Sequence, residues 1–230
     1  MPVRLWLWTP ALLLEYAAAW LGYWTPGLGR STTADWRVSG AHMAERCGLF
    51  VIIALGESIL VTGATFSKAP WTTEIVTAFA AAFLGSVAMW WIYFNAVASR
   101  SSQAIAASSD PGRLARSAYT FLHIPIVAGI VVAAVGDELL LAQPNGRPEL
   151  RMLLTMVGGP AIYLLGVLLF EWSVSRNISM SKALGLAALG LLAPSVGGLT
   201  SLGLGCIVML ILAIVSGCEA VQLSRPAPNK

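Results

Sequence analysis

Long apolar stretches alternate with short polar turns along the whole chain. A membrane-spanning helix needs about 20 mostly apolar residues. Seven stretches qualify, at residues 5–24, 41–63, 73–98, 115–142, 151–173, 183–199 and 201–223. The pattern predicts an all-α, polytopic transmembrane bundle of about seven spans, built as one integral membrane domain over residues 1–230. In the sixth stretch Pro194 and Gly197-Gly198 interrupt a short run, so either a broken helix or half of a re-entrant pair with the seventh is expected. The connections TPGLGRSTTADWR, FSKAPW, SRSSQAIAASSDPGR and AQPNGRPE are turn-rich, and none resembles a soluble domain.

Composition agrees. The chain is 57% hydrophobic and 11% charged, with mean hydropathy +0.75, whereas soluble domains carry about a quarter charged residues. The net charge of +3 is scattered among loops, which excludes a nucleic-acid surface. Cys47, Cys206 and Cys218 lie in apolar runs without a CxxC partner, so neither a metal site nor a disulfide framework is expected, and no cofactor. The opening MPVRLWLWTPALLLEYAAAWLGYW is too long for a signal peptide and lacks a small-residue cleavage site, so it reads as a span.

With seven spans, Arg30, Arg37, Arg100, Arg113, Arg116, Arg176, Lys182, Arg225 and Lys230 fall on one side and Arg4, Lys68, Arg147 and Arg151 on the other. The positive-inside rule then places the C-terminus in the cytoplasm and the N-terminus outside. Trp6, Trp8, Trp20, Trp24, Trp71, Trp90, Trp91 and Trp172 stand near predicted helix ends, where amphipathic rings favour the headgroup layer.

Candidate chemistry lies in the residues that break the apolar pattern. In AHMAERCGLFVIIALGESIL, His42 and Arg46 are one helical turn apart, and Glu57 falls within about 20° of their face and roughly 16 Å deeper than Arg46. Glu45 stands to one side. A charge at membrane depth costs about 3 kcal/mol or more and usually faces a bundle interior, a partner or water. Glu45 and Arg46 suit either an interfacial anchor or a functional pair. Glu57 favours function. The fourth stretch runs the same way and shares an H-x5-G-x8-E spacing with the second, aligning His42, Gly48 and Glu57 with His123, Gly129 and Glu138. Ancestry as a parallel repeat and chance both explain the match. If the two helices are neighbours, His42 and His123 form a polar layer, and Glu57, Asp137 and Glu138 an acidic one. Such layers pass protons or hold a cation. Pro125 frees a backbone carbonyl beside His123. Glu171 and Glu219, near helix ends, are expected to snorkel to water, and Glu15 to need a partner. Ala78, Ala82, Gly85, Gly158, Gly159 and Gly166 permit close helix contact.

The run HMAERCGLFVIIALGESIL resembles the hallmark of the bacterial low temperature requirement A (LtrA) family, which has an H-x-x-E-R-F-G-L-F-like start and an L-G-E-S end. WWIYF at 90–94 and Y-x-x-x-H-x-P, here Tyr119, His123 and Pro125, are similar to further family motifs in the same order. Cys47 replaces a usual aromatic residue, a packing change. Family members have several more helices ahead of H-x-x-E-R, whereas one precedes it here, so the chain looks like the family's C-terminal portion, as a short form or a truncated product. The resemblance implies an integral membrane protein named for growth in the cold and points to His42, Glu45, Arg46, Glu57, Tyr119, His123 and Pro125. It carries no biochemical activity.

Three functions follow, in order. The first is a transporter coupled to protons or cations, motivated by the layered His and carboxylate positions. The second is a non-catalytic membrane component supporting growth under stress. The third is a membrane-embedded enzyme acting on lipid or isoprenoid, for which no HExxH, G-x-S-x-G, Asp-rich diphosphate motif or P-loop is present. The expected partners are the lipid bilayer, a small ion or proton, and a second copy of the chain. The expected location is the inner (plasma) membrane.

Overall fold

The computed structural model describes residues 2–31, 39–96 and 111–224, which are helical apart from short connections. Arg37, Arg100, Arg225 and Lys230, counted above for orientation, lie outside the described residues, as does most of the SRSSQ connection. The helices are α1 (Pro2–Trp20), α2 (Gly40–Lys68), α3 (Thr73–Ala96), α4 (His123–Ala142), α5 (Leu150–Met156), α6 (Gly158–Ser175), α7 (Met180–Leu192) and α8 (Ser201–Ser224). A short helical turn, Pro111–Leu114, and a wide π-helical turn, Ala115–Phe121, lead into α4.

Among the described residues five stretches are long and apolar enough to cross a membrane: His42–Lys68, Thr73–Asn95, Arg116–Ala142, Leu150–Ser175, in which α5 and α6 run on through Val157, and Ser201–Gln222. The other two expected segments are also helical but differ. α7 has 13 residues, or roughly 20 Å against an apolar layer of about 30 Å. It ends in a 3-10 turn over Ala193–Gly198, where Pro194 and the paired glycines were expected to break it. α1 is mostly exposed and meets the rest of the chain edge-on, with Tyr16 and Trp20 against Phe121. Glu15, expected to need a partner in the bundle, is exposed on it.

Local chemistry sets the helix boundaries. Ser39 Oγ accepts the His42 backbone N–H at 3.4 Å and caps α2. Thr72 Oγ1 does the same for Ile75 at the start of α3. Arg176 ends α6 in a left-handed conformation (φ 56°), and its guanidinium lies 5.1 Å over the Trp172 ring. Ser201 binds the Gly146 carbonyl through both its backbone N–H (2.9 Å) and its hydroxyl (3.0 Å), joining the start of α8 to the turn between α4 and α5.

α4 is the central helix, packed against α2, α3, α5 and α6. Two glycines on each side bring α4 and the α5–α6 span together. A Cβ on Gly129 would stand 2.7 Å from Tyr163 Cα, and one on Gly159 would stand 2.7 Å from Ala133 Cα. Gly136 meets the Met156 backbone and Gly166 the Ile126 backbone at 2.9 Å by the same measure. Helices in lipid lack a hydrophobic force between them and rely on such close backbone approach. α8 covers α3 on the other side. All eight tryptophans expected at helix ends are exposed.

Candidate functional site

The polar residues fall into four groups rather than two layers. The first surrounds His123, which is buried. In an α-helix the Leu122 N–H would bond the Ala118 carbonyl. In the wide turn it bonds Ser117 instead, at 3.2 Å. The Ala118 carbonyl is left for the imidazole, whose Nδ1 lies 3.1 Å away. A carbonyl only accepts, so Nδ1 carries the proton, and in the neutral ring Nε2 accepts from the Tyr93 hydroxyl at 2.8 Å. Tyr119, one turn before His123, stacks on it (5.6 Å, 10°), and Phe170 meets it edge-on at 5.0 Å. The Cys47 thiol donates to the Tyr119 carbonyl at 3.4 Å. Y-x-x-x-H-x-P therefore encodes a stacked pair and a wide turn. The turn lies where Pro125 was expected to free a carbonyl.

His42 does not join His123. It is exposed on the first turn of α2, and Glu45 and Arg46 are exposed on the second. Glu57 also faces outward, against the expectation of an interior wall. The reason is periodicity: Gly48, Val51, Leu55, Ser58 and Thr62 form the buried stripe of α2, and Glu57 stands about 100° from Ser58.

The acidic layer divides in the same way. Asp137 and Glu138 are adjacent on α4 and diverge. Asp137 borders an internal chamber of about 30 Å³ between α3, α4, α5, α6 and α8, beside Ser86, Met156, Pro160 and Val208. Among the described residues Asp137 makes no hydrogen bond or ion pair. Gly85 lines this chamber rather than a helix contact: a Cβ there would meet nothing within 4 Å. Glu138 is exposed and shares with Glu57 a separate cleft of about 500 Å³ between α2 and α4. The cleft runs over residues 50–61 of α2 and 127–138 of α4; Glu57 lies seven residues along it and Glu138 eleven. Cys47 bonds Tyr119, and Glu57 lies 10 residues beyond that contact on its helix and Glu138 19 beyond it on the other, so the two carboxylates do not stand level.

The fourth group was not anticipated. Lys182 on α7 is 0% exposed and bonds Glu171 Oε1 of α6 at 2.9 Å and Glu219 Oε2 of α8 at 2.7 Å. Ser179 and Ser181 both donate to Glu219 Oε1. Neither glutamate snorkels, and Lys182 is not a solvated loop charge. The available signal was charge complementarity, a lysine opening one apolar run with acids near the ends of its two neighbours. Among the described residues no three His, Cys, Asp or Glu side chains gather as a metal-holding group.

Apolar spans packed around a half-buried carboxylate define a polytopic helical membrane protein. The family model for the bacterial low temperature requirement A protein (LtrA) matches residues 1–217, and the chain belongs to that family. It is 36% identical over 234 residues to the uncharacterized protein RA0937 of Rhizobium meliloti (strain 1021), covering 98% of this chain and 56% of that relative. The chain thus spans little more than half the relative's length. No solved structure matches it.

Proposed function

We propose that this LtrA-family membrane protein moves protons or small cations across the plasma membrane, with its C-terminus in the cytoplasm as the Lys and Arg distribution favours. The observation carrying the reading is Asp137, a carboxylate in the bundle interior without a protein partner among the described residues, facing a chamber of about 30 Å³. A space of that size admits at least one water. An intramembrane acid beside such a space is the usual signature of an ion or proton path, because the charge is costly unless something answers it. Ser86, also buried and on the chamber wall, supplies a second oxygen.

The test is proton and cation flux in proteoliposomes. Asp137→Asn is expected to lower flux at least tenfold while Glu45→Gln leaves it intact. Equal flux from Asp137→Asn and parent ends the proposal. A second reading, a non-catalytic component supporting growth under stress, draws support from His123, whose ring nitrogens both serve packing contacts. It predicts no flux from the folded parent and an unchanged growth phenotype after Asp137→Asn.

A further inference from the structure

The cleft between α2 and α4 holds one carboxylate at bilayer depth and a second four residues before the end of the Arg116–Ala142 span, and none of the described residues covers it. Glu57 lies 15 residues into the His42–Lys68 span and 11 before its end. It is therefore more than 15 Å along the helix from either end. Glu138 stands on the facing helix, and both side chains are exposed. Phe50, Ile53 and Val131 are among the apolar side chains walling the space between them, and no basic residue lines it. Ser58, also on the lining, is only 3% exposed, and its hydroxyl is buried without a hydrogen-bond partner. Buried hydroxyls are nearly always satisfied, so an orphan beside an open cleft marks a place for a ligand's polar group.

We infer that this cleft binds an amphiphilic organic cation, an amine or quaternary onium with an apolar body, entering from the lipid. The charge excludes anions and leaves neutral lipid chains with two unanswered carboxylates. A volume of about 500 Å³ is within the range of small-molecule sites, roughly 300–1,000 Å³, and such sites combine apolar walls with few polar groups. A transmembrane helix from a second copy fits less well. The cleft covers residues 50–61 of α2, about 17 Å of helix, while a spanning partner needs about 30 Å. The inference stands on the cleft alone, and Asp137 lies outside it.

The experiment measures binding of radiolabelled tetraphenylphosphonium to the full chain in nanodiscs, with no ion gradient, so that a failure of the transport reading leaves the result unaffected. Saturable binding is expected, weakened at least tenfold by Glu57→Gln combined with Glu138→Gln and a few-fold by Ser58→Ala. Tetraphenylborate, of the same shape and opposite charge, is expected not to compete. Asp137→Asn is expected to bind as the parent does. Size-exclusion and helical circular dichroism establish that each variant is folded. Absent binding to the folded parent, binding unchanged in the double variant, or competition by tetraphenylborate overturns the inference. So does a dimer that the double variant dissociates without any tetraphenylphosphonium binding, which assigns the cleft to a second copy.

Discussion

Lys182 is the least expected side chain of the protein: wholly buried, it joins α6, α7 and α8 through Glu171 and Glu219. Two carboxylates repay the desolvation of one ammonium only while all three are present. Removing one member of a buried pair typically costs about 3–5 kcal/mol, because the remaining charge stays buried. Lys182→Ala is therefore expected to destabilise by about that much, read as a large drop in the thermal unfolding midpoint in detergent; an unchanged midpoint would show that water replaces the ammonium. Around His123 the forces are smaller and neutral. Tyr93→Phe keeps the ring packing and deletes the hydroxyl that reaches Nε2. The imidazole then loses a partner in a dry site, at about 1–3 kcal/mol. The same unfolding assay checks this, and His123→Ala should not add the Tyr93→Phe loss again, since both remove one bond.

At the scale of elements, small residues decide how close helices come, but only some of them do so. Gly129 and Gly159 press backbone against backbone, whereas Gly85 and Gly158 would each accept a methyl group without contact. Gly129→Ala is expected to force α4 and α6 apart and cost about 1–3 kcal/mol by overpacking. Gly85→Ala should leave stability near that of the parent. Equal midpoints for the two variants would contradict the close approach. The same distinction qualifies the H-x5-G-x8-E pattern. A Cβ on Gly48 would stand 3.3 Å from the Phe94 ring, whereas one on Gly129 would run into the Tyr163 backbone. One histidine is exposed and the other buried, so the matched residues perform different work on neighbouring helices.

For the molecule as a whole, the chain by itself determined the class and most of the architecture. Long apolar runs have no stable alternative to helices in lipid, since every backbone N–H and C=O must be satisfied within the segment. The break at Pro194 and the family motifs were legible for the same local reason, since each depends on residues within a turn or two; of the turn ahead of Pro125, the sequence showed only a freed carbonyl and not its π-helical form. Side-chain direction was less legible. A helical wheel placed His42, Arg46 and Glu57 on one face, which was expected to line the bundle interior, but packing buried Gly48, Val51, Leu55, Ser58 and Thr62 instead. Only the tertiary structure separated Asp137 from Glu138, one into the chamber and the other into the cleft, because the 100° between adjacent positions becomes inside and outside only once neighbours are in place. Only it brought Lys182 between two distant glutamates. Pairing of charges across three helices depends on how those helices are arranged in space, and no local pattern carries that arrangement.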